Sequence, residues 1–120
     1  MESVAYSVAQ HVEILKEHNV PLERIMAVGG GTKNPIWMQM VADVMGEPLQ
    51  LAAVTIGASY GDALMAGIGA GIYKDFEALA EIIKPAETFY PDMEKHEQYK
   101  KSRKMYEDLY AATKDLMHAW

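Results

Sequence analysis

The residues of this sequence best suited to chemistry are three consecutive glycines, Gly29, Gly30 and Gly31. An apolar run over residues 25–28 precedes them, and Asn34 with a following proline opens a new apolar pattern. Glycines leave backbone N–H groups exposed, and the start of a helix adds partial positive charge from its dipole. The pattern therefore indicates a cradle for an anion such as a nucleotide phosphate. A tight strand-to-helix turn explains the same glycines about equally well.

The glycine run matches neither of two common nucleotide-binding motifs. The dinucleotide fingerprint needs a glycine where Asn34 stands, and an acidic residue about twenty positions beyond Gly29. Leu49 and Gln50 occupy that later position. A Walker loop needs a glycine before its lysine and Ser or Thr after it, and Lys33 has neither. The residues alone thus leave both phosphate binding and simple turn formation open.

The residues that follow the glycines each have a functional and a structural interpretation. Asn34 could hydrogen-bond a purine edge, although an Asn before Pro at a helix start is most often an N-cap, and both roles can coexist. Trp37 and Met38 could wall a base pocket, although an aromatic residue at helical spacing more often belongs to the core. Lys33 could steady a phosphate, although exposed loop lysines are usually only solvated.

No catalytic base or metal site can be argued from the other polar residues. His11 and His18 share a helix face but lie ~10.5 Å apart along its axis, too far to bind one ion. His96 is expected on a terminal helix among charged groups. No spacing indicates a Ser-His-Asp set or a carboxylate pair. Asp43 is expected on the surface, and Asp62 is expected to be a local cap or an unusual packing residue.

The periodicity of apolar residues predicts an α/β chain built around one βαβ unit at about 23–52. The predicted elements are a helix over 2–18, strands over 24–28 and 48–52, a helix from the Asn34 cap to Gly46, a small-residue helix over 57–72, a helix around 75–83, a loop with Pro85 and Pro91, and a helix over about 94–118. The glycines of the small-residue helix weaken it unless a neighbouring backbone comes close. Two strands do not make a stable sheet, so the chain is expected to be part of a larger fold.

Composition narrows the classes of partner. The 120 residues carry a net charge of −6, which argues against broad nucleic-acid binding. The chain has no cysteine, which is compatible with a reducing cytoplasm. No apolar stretch reaches the ~20 residues that span a bilayer, and no signal-peptide pattern opens the chain. We expect a soluble cytoplasmic protein without nucleic-acid or membrane partners.

The segment "ERIMAVGGGTKNPIWMQMVADVMGEPLQL" resembles the adenosine-binding segment of the FGGY carbohydrate kinases, which include xylulokinase and gluconate kinase. Its strand, glycine run, helix residues Trp37, Gln39, Asp43 and Gly46, and the proline opening the next strand follow that pattern. "GASYGDALMAGIGAGIY" is similar to the family's small-residue helix, and "TFYPDMEKHEQYKKSRKMYEDLY" to its closing segment. The sequence departs from the family at Thr55, where an acidic residue is usual, and at Asp62, where a small one is.

The resemblance implies a partial actin-like, ribonuclease-H-like domain that binds ATP, with Mg²⁺ in the full-length enzyme. By position, Gly30 and Gly31 contact the nucleotide phosphates through their backbone, Asn34 lines the adenine or ribose site, and Gly29 permits the turn. The catalytic aspartate and most sugar contacts of the family belong to an N-terminal domain that nothing here matches. Residues 1–120 thus resemble the C-terminal fragment of the nucleotide-binding domain.

Two functional hypotheses follow. The first is the ATP-binding C-terminal part of a carbohydrate kinase that phosphorylates a sugar hydroxyl, with a xylulose-like pentulose favoured, and inactive by itself. The second is a non-catalytic interaction or assembly module, which could be a homo-oligomer, because the incomplete sheet and the long amphipathic helix could recruit another chain.

Overall fold

A computed structural model describes residues 1–54 and 57–119. Within these residues the elements are α1 (Glu2–Glu17), β1 (Met26–Ala27), a 3₁₀ turn (Gly30–Lys33), α2 (Pro35–Met45), β2 (Leu49–Ala52), α3 (Ala58–Gly69), α4 (Phe76–Ile82), β3 (Pro85–Phe89) and α5 (Met93–Met117). The mixed α/β class predicted from the sequence is confirmed. Thr55, one of the two departures from the family pattern, lies outside the described residues.

The three strands form one sheet in the order β1-β2-β3. β1 and β2 are parallel, with Met26 opposite Gln50, and α2 connects them as the predicted βαβ unit requires. β3 pairs with the other edge of β2 in the antiparallel direction, with Phe89 opposite Leu49. β2 is therefore the central strand, and the glycine run closely follows the carboxyl end of its neighbour β1.

The prediction of a loop around Pro85 was wrong, because Pro85–Phe89 is β3. Proline lacks a backbone donor, yet it is tolerated at the first residue of a strand and on a sheet edge. Glu87 is exposed on this edge, where a charge protects against pairing with another chain. Only Phe89, at the end of the strand, is buried in the core. The five residues therefore have the composition of a loop although the pairing with β2 makes them a strand.

The core lies between one face of the sheet and the helices α1, α2 and α5. Leu49, Leu51 and Phe89 enter it from the sheet, and Val44 of α2 is almost fully buried within it. Tyr6 of α1 packs against two tyrosines of α5, with ring centroids 6.3 Å from Tyr99 and 5.8 Å from Tyr106. α5 is thus part of the helical layer, and its two tyrosines join it to α1 and the core.

The small-residue helix spans Ala58–Gly69, shorter than the expected 57–72. A side chain at Gly67 would lie 2.6 Å from the ring of Tyr73, so this glycine does permit a close approach, by an aromatic ring rather than a backbone. Among the described residues, nothing lies within 4 Å of where a Cβ would stand at Gly61 or Gly69. Asp62 is exposed on this helix. The expected close neighbour is therefore found at one glycine of α3.

The terminal helix α5 begins at Met93, where 94 was expected, and none of its residues is fully buried. Leu109, Tyr110, Leu116 and Met117 form its exposed apolar end. Across residues 1–54 and 57–119, no helix combines the length and the apolar character needed to cross a lipid bilayer.

Candidate functional site

The glycine run forms a short 3₁₀ turn between β1 and α2. Gly29 has φ 98°, a left-handed conformation that strongly favours glycine. Its carbonyl oxygen accepts two hydrogen bonds from Thr32, one from the backbone N–H at 3.2 Å and one from Oγ1 at 2.7 Å. Thr32 is buried, whereas Gly30 and Gly31 are exposed. The hydroxyl therefore fixes the turn from the inside and leaves the two glycines on the surface.

The start of α2 follows the local chemistry predicted for it. Asn34 is the N-cap, and its Oδ1 accepts a hydrogen bond from the backbone N–H of Trp37 at 3.1 Å. Pro35 occupies the first helical position, where a missing N–H costs nothing. Gly46 ends the helix in the left-handed conformation, with φ 69°. The N-cap role of Asn34 is thus confirmed, and only its side-chain NH₂ group is free of the cap.

Trp37 serves both the core and the turn. Its side chain is partly buried against the core cluster, as an aromatic residue at helical spacing usually is. Its indole Nε1 lies 3.4 Å from where a Cβ would stand at Gly31. The interpretation of Trp37 as a core residue is therefore correct, and its indole ring also lies beside Gly31 of the glycine turn. Met38 is buried in the core, not on a pocket wall of the turn.

The outer face of the turn is open. Among the residues that the structure describes, no atom lies within 4 Å of a Cβ placed at Gly29 or Gly30. Within the same residues, the N–H groups of Gly30 and Gly31 donate to no backbone carbonyl, as expected at the start of a helical turn. Lys33 is exposed at the end of this turn. Among the described residues, these two N–H donors are thus without a backbone acceptor and lie close in sequence to an exposed lysine.

A mostly apolar cavity of about 180 Å³ lies at the carboxyl ends of β1 and β2. Val28, directly before the glycines, forms one wall, and Tyr60 and Leu64 of α3 form another. Lys84 also lines the cavity. In open α/β sheets, ligands bind outside the carboxyl ends of parallel strands. The glycine turn and this cavity lie at that end of the sheet.

Asp43 is buried, with 3% of its surface exposed, so its prediction as a surface residue was wrong. Its Oδ1 accepts hydrogen bonds from Gln39 Nε2 at 2.7 Å and from the backbone N–H of Asp92 at 2.9 Å. His96 donates from Nδ1 to the backbone carbonyl of Asp43 at 3.0 Å. Helical periodicity places Asp43 on a polar face of α2, and the segment between β3 and α5 covers that face. Gln39 and Asp43, four residues apart, were the available signal of such a pair.

Two groups with a shifted pKa lie in α1 and at the N-cap of α5. Burial raises the pKa of Tyr6 above its ordinary value. The backbone N–H of Lys95 lowers the pKa of Asp92, which caps the start of α5. Within residues 1–54 and 57–119, no group of three or more His, Cys, Asp and Glu side chains could hold a metal ion. The candidate site therefore consists of backbone donors, the Asn34 amide and Lys33.

The chain is similar in sequence and in fold to known proteins. Residues 1–70 match the model of the FGGY family of carbohydrate kinases, C-terminal domain. The chain is 32% identical over 117 residues to the xylulose kinase of Bacillus subtilis, covering 97% of this chain and 23% of that protein. It is 35% identical over 112 residues to the L-xylulose/3-keto-L-gulonate kinase of Escherichia coli K12, covering 92% and 22%. The crystal structure of xylulose kinase from Rhodospirillum rubrum superposes with a TM-score of 0.76 at 32% identity, covering 98% of this chain and 24% of that one.

The chain therefore belongs to the FGGY family of carbohydrate kinases and corresponds to its C-terminal domain. The resemblance drawn from the glycine run and the helix after it is confirmed. The chain spans less than a quarter of the length of the two curated relatives. Its similar proteins are sugar kinases, which places it in a family of phosphotransferases.

Proposed function

We propose that this chain is the ATP-binding C-terminal part of a cytoplasmic sugar kinase with an actin-like, ribonuclease-H-like arrangement of domains. The favoured acceptor is a xylulose-like pentulose, because the names of the similar proteins point to that class. In this proposal the glycine turn holds the nucleotide. The sugar and the catalytic base belong to the three-quarters of the relatives' length that this chain does not span.

The proposal rests on the surroundings of Gly30. Gly29 needs its left-handed backbone, so the fold itself accounts for it, whereas a Cβ at Gly31 would make only an ordinary contact of 3.4 Å with Trp37. Gly30 has no left-handed φ, and among the described residues its side-chain position faces open space. A larger residue would cost the folded chain nothing there. Gly61 and Gly69 face open space too, so what distinguishes Gly30 is its place between β1 and α2, beside two N–H groups that donate to no backbone carbonyl among the described residues. A side chain at Gly30 would keep an anion away from these donors.

The residues of the turn fit a nucleotide. The N–H groups of Gly30 and Gly31 would donate to phosphate oxygens, and Lys33 would add a charge that orients them. The free NH₂ group of Asn34 would donate to the adenine or ribose. ATP supplies the transferred phosphoryl group, and its Mg²⁺ would be held by the phosphates and by residues outside the described part of this chain. Holding ATP in position is a large part of phosphoryl-transfer catalysis.

The test is ATP binding by this chain and its Gly30→Val variant. ATP at tenfold its Kd should stabilise the unmodified chain by about 1.4 kcal/mol, measured as a shift in thermal unfolding. Gly30→Val should unfold like the unmodified chain without ATP and lose the ATP-dependent shift. Gly69→Val is the matched control, because this glycine also faces open space and lies outside the site. ATP stabilisation that survives Gly30→Val would refute the site.

Inactivity of the isolated chain is a separate part of the proposal. A coupled assay with ATP and xylulose should detect no turnover with this chain alone. Turnover of any pentulose or hexulose above that of a blank would show that the residues described here include a catalytic base.

An assembly module remains the second candidate, because α5 leaves an apolar end uncovered. Leu109 is 62% exposed, Leu116 71% and Met117 61%. Apolar surface at such spacing on one helix is suited to pairing with another helix. Size-exclusion chromatography with light scattering tests this: an oligomer that Leu116→Lys converts to a monomer supports assembly, whereas a stable monomer of the unmodified chain rejects it.

A further inference from the structure

We infer that Asp43 is a positioning residue for the glycine turn: it fixes α2 against the start of α5 and thereby aims the N-terminus of α2. The inference rests on the proposed function, because the turn is the proposed nucleotide site. Asp43 contacts none of the glycines, so it acts through the helix that carries it.

Asp43 lies at the centre of four hydrogen bonds, three of which join α2 to the segment from Tyr90 to His96, which we call the clasp. Its Oδ1 accepts from Gln39 Nε2 at 2.7 Å and from Asp92 N–H at 2.9 Å. Gln39 Nε2 also donates to the carbonyl of Tyr90 at 2.8 Å. His96 Nδ1 donates to the carbonyl of Asp43 at 3.0 Å. Because these contacts come from both side chain and backbone, they restrain the direction of α2 as well as its distance from α5.

The setting of Asp43 explains why a carboxylate is tolerated in this buried position. The N-terminus of α5 carries partial positive charge from its aligned peptide dipoles. Asp43 accepts from the N–H of Asp92, and Asp92 in turn caps α5 by accepting from the N–H groups of Glu94 and Lys95 at 3.0 and 3.2 Å. Lys95 and Asp43 line the same surface groove, and Lys95 forms an ion pair with Asp92. The start of α5 therefore stabilises Asp43, and Asp43 in return holds the start of α5.

The part of α2 between Asn34 and Asp43 connects the clasp to the glycine turn. Asp43 and Asn34 are nine residues apart, about 13.5 Å along a helix axis. A tilt of α2 by about 5° at the clasp would move Asn34 by roughly 1 Å. Trp37 moves with the helix, and its ring supports Gly31. Displacements of this size can change catalysis substantially when reacting groups must be aligned.

The experiment compares backbone amide and indole NMR signals of the 120-residue chain without any nucleotide. Asp43→Ala should shift the amide signal of Asp92, which loses its acceptor, and also the amide of Gly31 and the indole N–H of Trp37. Asp43→Asn, which keeps an oxygen acceptor at Oδ1, should restore most of both shifts. Asp108→Ala is the control, because Asp108 is an exposed partner of Lys104 on α5 and remote from the clasp.

Shifts confined to Asp92 and His96, with Gly31 and Trp37 unchanged, would overturn the inference and leave Asp43 a purely structural residue. If Asp43→Ala does not fold, Gln39→Met gives the same comparison, because it removes the bonds of Gln39 to Asp43 and to the carbonyl of Tyr90 without leaving a cavity. Because the readout uses no ATP, its failure is distinct from a failure of the proposed function, which the Gly30→Val titration judges. When the chain binds ATP, Asp43→Ala should also weaken binding and Asp43→Asn should restore it.

Discussion

Replacing Gly46 with alanine should destabilise the chain by about 2 to 4 kcal/mol, for two separable reasons. Gly46 ends α2 with φ 69°, and a Cβ in this left-handed conformation costs about 1 kcal/mol. The new Cβ would also lie 2.6 Å from His96 Cε1 and 2.9 Å from His96 Nδ1. The ring must move, which breaks its bond to Asp43 or strains the contact at about 1 to 3 kcal/mol.

A matched glycine and a double-mutant cycle separate the two contributions. Gly71 has φ 73° but, among the described residues, no neighbour within 4 Å of a Cβ, so Gly71→Ala should cost only about 1 kcal/mol. Adding Gly46→Ala to His96→Ala should likewise cost about 1 kcal/mol, because the obstructing ring is gone. Urea unfolding followed by circular dichroism gives each free energy. Equal costs for Gly46→Ala and Gly71→Ala, or no relief in the His96→Ala background, would refute the steric reasoning.

Three further outcomes are expected at the turn and at the start of α5. Thr32→Val removes the hydroxyl bond to Gly29 and should lower the free energy of unfolding by about 1 kcal/mol in urea titrations, whereas Thr32→Ser should retain it. Asn34→Ala removes the cap of α2 and should cost about 1 kcal/mol in the same measurement, with Asn34→Asp close to neutral. The lowered pKa of Asp92 means that its charge stabilises the fold above the ordinary carboxyl pKa, and that this stability is lost as the pH falls through the lower folded value. Between about pH 6 and pH 3, the midpoint temperature of thermal unfolding should therefore fall less steeply in Asp92→Asn than in the unmodified chain.

The parts of the fold that the sequence predicted are those in which neighbouring residues determine the outcome. Both ends of α2 were predicted, because Asn34 with Pro35 and the left-handed Gly46 are chemical signals within one turn of the helix. The strand before the glycines was predicted from its apolar run, but only Met26–Ala27 of it pairs with β2. The 3₁₀ turn was not predicted, because the glycine run permits many backbone paths and the buried Thr32 hydroxyl selects one of them.

The parts that the sequence did not predict depend on contacts between distant residues. β3 pairs with β2 across more than thirty positions, and its Pro85 and Glu87 fit an exposed loop as well as an edge strand. The burial of Asp43 depends on Asp92, 49 positions further along the chain. Helical periodicity places Asp43 on a polar face, and only the fold of the segment before α5 converts that face into an interior. His96 donates to the backbone carbonyl of Asp43, a role that its charged sequence neighbours hide.

Because of these distant contacts, we expect the 1–70 region matched by the family model to lose part of the packing that supports the site when it is separated from the rest of the chain. Without β3, one edge of β2 would be unpaired and Leu49 would lose its partner Phe89. Without α5, Tyr6 would lose both of its aromatic neighbours, and Asp43 would be left with no donor except Gln39 on its own helix. A buried acceptor deprived of its donors destabilises the fold around it. Residues 29–34 therefore determine the local conformation of the glycine turn, and residues 85–106 support the elements that position it. We expect substitutions in α5 to alter the proposed nucleotide site although α5 does not contact it.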